Sequence, residues 1–474
     1  MPSLFPKISS TQVVINARES IASFKTTGTK DLLSMGFVNI AFTYNGLETL
    51  GLDPKELYAD FDTPDVLKQG QLACAAQLGD PIKEGVPKEW IEEFKKQHDQ
   101  IHGILLVASD SDFTLKKFRD DINSSLGDNG QVIYELRGQV CPGSNKGYEH
   151  FGWKDGISNP WLKGVFCECQ KVPGQLEAER GNILVGDPGD NDRTGEKGEA
   201  FKRPSWAKNG SYMAFRQYDQ LVPEFHKWTA DNAIDLKIPG ISPDQLEQKG
   251  AALRAAQLVG RWPSGLFSIS LGRFNNHITT GTVGTPLELS LHEDNPSIAN
   301  DPMQVNNFLF KPDDQARCPF SAHIRKLNPR VDYTNSENYE KKFDFDQSNI
   351  IRAGIAYGPE VKPEESNEHK TRHSRGLAFV AYQNDIVQGS QFQQTMWANN
   401  PDFPPTKHNS SNFNVWGLDP LIGQNDQSKP SEARVTTDNM GHELNVRRFI
   451  IPRGGGYFFV PPLKTLKQLC TVHL

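Results

Sequence analysis

Three short strings hold side chains whose types and spacing suit chemistry. The first is Gly152-Trp153-Lys154-Asp155-Gly156-Ile157-Ser158-Asn159-Pro160. Two glycines bracket an aspartate, and glycine lets backbone come close to a ligand, so Asp155 could be held at a pocket wall. Taken alone, a surface Asp-Gly turn explains the string equally simply. The second is Cys318-Pro319-Phe320-Ser321-Ala322-His323, followed by Arg325, Lys326 and Arg330. A neutral imidazole is a common metal ligand, and nearby arginines suit the carboxylates of an anionic cofactor. A satisfied core histidine is the alternative. The third is Ile350-Ile351-Arg352-Ala353-Gly354-Ile355-Ala356-Tyr357. An arginine in an apolar segment is costly to bury unless it is paired or faces developing charge. An arginine at a strand end is the plainer reading.

These residues need a frame. Residues 101–108 read as a buried strand, Ser109 to Asp112 as helix caps, and Leu115, Phe118, Ile122 and Leu126 as one helix face stopped by Gly127. Residues 131–136 read as the next strand. The cadence returns with a strand at 211–216 and a helix at 222–234, then a strand at 376–382 and a helix at 390–398. A last strand is expected at 457–460, after a turn at Gly454-Gly455-Gly456. The pattern predicts an α+β protein of two comparable halves, 1–200 and 201–474. The boundary would fall in the polar segment 186–204. Residues 359–375 read as a charged, solvated loop.

The chain has 474 residues, 36% hydrophobic and 23% charged, with net charge −7. That composition is globular. The acidic balance gives no reason to bind nucleic acid or an anionic membrane, and no apolar run is long enough to span one. Six cysteines are too few for a disulfide scaffold in a chain this long. Cys167-Glu168-Cys169 lacks a second pair and is a weak zinc signal. The first residues lack the pattern of a signal peptide. There is no HExxH, GxSxG or P-loop, nor a GxGxxG between a strand and a helix, so hydrolase, nucleotide-hydrolysing and Rossmann readings lack support.

Taken in order, the three strings resemble the fungal branch of the dye-decolorizing peroxidases, a haem peroxidase family. GWKDG (152–156) resembles its GxxDG motif, RCPFSAHIRKLNPR (317–330) its haem-ligand segment, and IRAGIAYGPE (351–360) its distal-arginine segment. RPSWAKNGSYMAFRQ (203–217), GRWPSG (260–265), RGLAFVAYQ (375–383), QQTMWANNPDFP (393–404) and GLDPLIGQ (417–424) are further matches. The resemblance implies two ferredoxin-like domains of the dimeric α+β barrel type, their antiparallel sheets enclosing haem b. His323 would be the iron ligand and Asp419 the acceptor for its other nitrogen. Asp155 and Arg352 would activate H2O2. Leu377 and Phe379 would line the distal face, with Ile157 beside the cofactor, and Arg325 would meet a haem propionate.

Dyes and phenolic aromatics would be oxidised in one-electron steps, partly through surface relays at Trp397 and Tyr357. Glu337, Asp344 and Asp346 form a carboxylate cluster whose hard oxygens suit Mn2+ as a further substrate. The resemblance also implies a monomer or homodimer and an extracellular location, with the cytoplasm as alternative. A haem-binding or haem-handling protein with little turnover is the competing function. Residues 266–284 interrupt a stretch that in the family runs directly from GRWPSG to a PLEL-like string.

Overall fold

A computed structural model describes residues 3–26, 28, 33–58, 65–165, 171–191, 200–262, 287, 295–311, 314–334, 345–404, 417–424, 435–437 and 442–472. Its centre is a seven-stranded antiparallel sheet. The strands are β1 (Gly36–Phe42), β2 (Gly103–Ser109), β3 (Ser211–Gln220), β4 (Ile351–Arg352), β5 (Ile355–Tyr357), β6 (Gly376–Gln383) and β7 (Ile450–Val460). They run in the order β2-β1-β7-β3-β6-β4, and β5 also pairs with β6. The sheet therefore takes strands from both ends of the chain, and β1 meets β7 at Phe42 and Phe459.

Helix α1 (Asp112–Leu126) starts where the Ser111 hydroxyl accepts the Thr114 N–H and stops at Gly127, whose φ of 50° favours glycine. Ile122, Phe118 and Leu126 turn its apolar face onto a core shared with Val38, Ile40, Tyr212 and Phe459. Helix α2 (Val222–Asp231) packs on α3 (Pro243–Val259), which begins in a Ser242–Gln245 capping box. Gly260 ends α3 in the left-handed region, and a Cβ there would lie 2.4 Å from the Ile324 side chain. That close approach seats α3 against the short helix α4 (His323–Leu327).

Several segments differ from expectation. Residues 131–136 form no strand; Tyr134 and Leu136 pack on the sheet, and only Gly138 bridges to Tyr357. The glycines at 454–456 make no turn. They lie within β7, whose register shifts between Pro452 and Gly454. Residues 387–398 are helical but π-wound. The 359–375 segment is not wholly solvated, because Arg375 is buried in a bidentate pair with Glu365. The described flanks of the polar 186–204 segment are also anchored: Arg203 and Asp190 form a buried bidentate pair. Residues 266–284, Cys167 and Cys169 lie outside the described residues. No described helix is long and apolar enough to cross a membrane.

Candidate functional site

A cavity of about 670 Å3 brings the three strings together: Asp155, Ile157, His323, Arg352, Leu377, Phe379 and Trp397 all line it. Its walls are mostly apolar, with Phe151, Trp153, Leu421, Ile422 and Ile450 completing them. Leu377 and Phe379 are alternate residues of β6, so the two-residue period of a strand turns both the same way.

Asp155 sits on a loop built by its neighbours. Glu149 accepts the backbone N–H of Phe151 at 2.9 Å and of Trp153 at 2.8 Å, which closes the turn before it. Gly152 and Gly156 have φ of 104° and 80°, conformations open to glycine. The Asp155 carboxylate accepts the Gly156 N–H at 2.6 Å and pairs with the Arg352 guanidinium. Arg352 is held by main-chain contacts: its N–H donates to Asn159 Oδ1, and Asn159 Nδ2 donates back to its carbonyl, both at 3.0 Å. Each side chain of the Asp155–Arg352 pair stays about 30% exposed, so a small molecule in the cavity can reach it.

His323 begins α4. Its Nδ1 lies 2.8 Å from Asp419 Oδ2. Asp419 is fully buried, and its other oxygen accepts the N–H groups of Leu421 and Ile422 at 2.8 and 3.0 Å. Burial alone would raise this carboxyl, but His323 and those two N–H groups outweigh it and hold it below the usual carboxylate range. An anionic Asp419 fixes the proton on Nδ1 and leaves Nε2 with a lone pair.

Further cations line the cavity, Arg330 and Arg261 among them. Arg330 donates to the carbonyls of Phe308 (2.7 Å) and Asn306 (3.1 Å) and to Asn306 Oδ1 (2.6 Å). Burial lowers its pKa to about 10. Arg261, which follows Gly260, is lowered to about 9 by burial and by the charges of Arg330 and Arg352. The Trp153 indole donates to the Arg261 carbonyl at 2.8 Å, tying this wall to the Asp155 loop. A cation opposed by the charges of two neighbouring arginines suits an anionic ligand. An imidazole with a free Nε2, apolar walls and this cationic edge fit a haem, whose ring is flat and apolar and whose propionates are anionic.

Arg325 is not at this edge. It is fully buried in a bidentate pair with Asp332 (2.7 and 3.1 Å) and donates to the carbonyls of Cys318 and Lys311, between the rings of Phe310 and Phe320. The propionate-facing role expected of Arg325 therefore fails on geometry: Arg325 does not line the cavity, whereas Arg330 and Arg261 do. Neither expected relay residue is a surface terminus. Tyr357 is 4% exposed and donates to Asp219 Oδ1 at 2.5 Å. Trp397 is 5% exposed and stacks on Phe403. Glu337 and Asp344 lie outside the described residues, as does the side chain of Asp346. Asn159 and Glu149 went unassigned in sequence. Their signal was their place in EHFGWKDGISNP, one at each end of the Asp155 loop.

Comparison with known proteins converges on one family. Residues 1–142 match the DyP dimeric alpha+beta barrel domain. The chain is 36% identical to Peroxidase 2 of Mycetinis scorodonius, across 99% of this chain and 80% of that protein. A solved ancestral D-type dye-decolorizing peroxidase is 39% identical, with a TM-score of 0.81 over 99% of this chain and 91% of its own. A dye-decolorizing peroxidase solved with 2,6-dimethoxyphenol is 36% identical, with a TM-score of 0.74 over 92% and 86%. The chain, an α+β protein with the imidazole–carboxylate and carboxylate–arginine couples just described, belongs to the dye-decolorizing peroxidase family of haem enzymes.

Proposed function

We propose that the cavity holds haem b through His323 and uses H2O2 to oxidise dyes and phenolic aromatics in one-electron steps. The observation that carries this is the joint presence, on one cavity, of an Asp419-oriented imidazole and an Asp155–Arg352 pair. Bound haem supplies the iron that receives peroxide and the capacity to store two oxidising equivalents. The chain's own groups do the rest. His323 Nε2 is the iron ligand, kept basic by Asp419. The Asp155 carboxylate takes the proton from one peroxide oxygen and returns it to the departing one, which leaves as water. Arg352 holds Asp155 in place and offsets negative charge as the O–O bond breaks. Leu377 and Phe379 keep the cavity apolar and narrow. Arg330 and Arg261 meet the propionates. Over a turnover, H2O2 takes up two electrons, one from each of two donor molecules, and two protons, which phenol donors release with their electrons, to give two waters. The 2,6-dimethoxyphenol bound to a 36%-identical relative supports phenols as one donor class.

Asp155→Asn is the direct test. With haem retained, as read by an unchanged Soret band, peroxide-dependent dye turnover should fall by about 100-fold or more. Unchanged turnover would overturn the role of Asp155. A wild-type Soret band that ignores H2O2 would favour haem handling without catalysis. Mn2+ is a further donor in this reading, supported by the sequence cluster Glu337, Asp344 and Asp346. A triple alanine variant that still forms Mn3+ at the wild-type rate would remove it.

A further inference from the structure

We propose that Cys141, His150 and Glu360 bind one divalent cation of the zinc class, at a site separate from the haem cavity. The Cys141 sulfur, a His150 ring nitrogen and a Glu360 carboxylate oxygen all lie within 4.8 Å of one another. None of the three lines the cavity. Cys141 and His150 flank the stretch that leads into the Asp155 loop, and Glu360 follows β5.

The frame around the three donors is already set. The Gln139 N–H donates to the Ala356 carbonyl at 2.8 Å, and Gly138 bridges to Tyr357. His150 Nε2 lies 2.8 Å from the Tyr357 carbonyl. Both flanks are thus pinned to β5, the strand whose continuation carries Glu360. A carbonyl can only accept, so Nε2 carries the proton and Nδ1 keeps the lone pair. A ligand histidine donating its second N–H to a backbone carbonyl is the usual outer support of a metal site.

The donor set selects the ion. One thiolate, one imidazole and one carboxylate suit zinc, whereas magnesium and calcium require an all-oxygen shell. Three protein ligands leave a fourth tetrahedral position for water. Bonds of about 2.0–2.3 Å place tetrahedral ligand atoms roughly 3.3–3.6 Å apart, so side-chain rotation within the 4.8 Å cluster completes the site. Glu360 is exposed and gives the ion a path from solvent, while Cys141 is buried and closes the inner side. The nearby cation Arg375 is neutralised by its bidentate pair with Glu365. On binding, the thiol S–H bond is exchanged for a sulfur–metal bond, and the proton passes to solvent.

The test uses the haem-loaded full chain, equilibrated with zinc chloride and desalted. One zinc per chain is expected, with zinc-edge X-ray absorption showing one sulfur at about 2.3 Å and nitrogen or oxygen at about 2.0–2.1 Å. Glu360→Gln changes an exposed side chain, and Cys141→Ser removes the sulfur. Each should weaken zinc binding at least tenfold, and Cys141→Ser should erase the sulfur signal. A Cys167→Ser/Cys169→Ser double variant should change neither. The proposal falls if no zinc is retained, if Glu360→Gln retains it with unchanged affinity, or if the sulfur signal disappears with Cys167 and Cys169. The Soret band of each variant reports that the fold is intact.

Discussion

Asp419 touches no substrate, yet it sets what His323 can do. It is fully buried and anionic, and it accepts one ring and two backbone N–H groups. Asp419→Asn leaves the volume unchanged but removes the charge. Haem affinity should fall by about 10–100-fold, with a shifted Soret band, as measured by haem titration of the apoprotein. Glu149 makes a prediction with a sign. Burial, aided by the charge of Asp155, raises its carboxyl to about 7, despite the N–H groups it accepts. In the unfolded chain a glutamate titrates at roughly 4.3. Between those values the native state holds a proton that the unfolded chain has shed, so this group's contribution to stability falls as pH rises from about 4.5 to 7 and is flat above. Glu149→Gln should flatten that part of the thermal midpoint against pH, and an identical slope in the variant would refute it. At this scale much of the site was legible, because Asp155, His323 and Arg352 each stand in a short distinctive string. The choice among the cations after His323 was not. Two residues along a helix is about 200° of rotation, which carries Arg325 away from the wall His323 lines. Arg330 lies beyond the helix, where a φ of +52° redirects the chain, and no spacing rule announces that reversal.

Elements were readable where periodicity and caps agreed, as in α1 and β6. They misled where a partner decides the matter. Residues 131–136 have strand composition but find no ladder, and β propensity is largely a statement about neighbours. The glycines of β7 read as a turn, yet they are where the strand passes close to other chain. A Cβ on Gly455 would lie 2.1 Å from Gln71 Oε1 and 2.2 Å from the Phe215 carbonyl. Gly455→Ala should therefore destabilise the protein by about 2 kcal/mol or more, checked by denaturant unfolding, although alanine is tolerated in most strands.

Across the whole molecule, the main sheet has no seam between the halves. β7 lies between β1 and β3 and pairs with both. Strands from residues 36–42 and 103–109 are thus hydrogen-bonded, through β7, to those from 211–220 and 376–383. The halves should lose structure together. Far-ultraviolet dichroism and tryptophan fluorescence should report one coincident denaturant transition, and two separated transitions would show independent halves. This order also bears on how the protein is born. β1 and β7 are separated by about 400 residues. At a synthesis rate of about 5–20 residues per second, the first strand emerges some 20–80 seconds before the neighbour that completes it. For that interval β1 and β2 expose an edge and an uncovered apolar face in a crowded cell. The nascent chain is thus exposed to aggregation while it is being made, and co-expressed holding chaperones should raise its soluble yield.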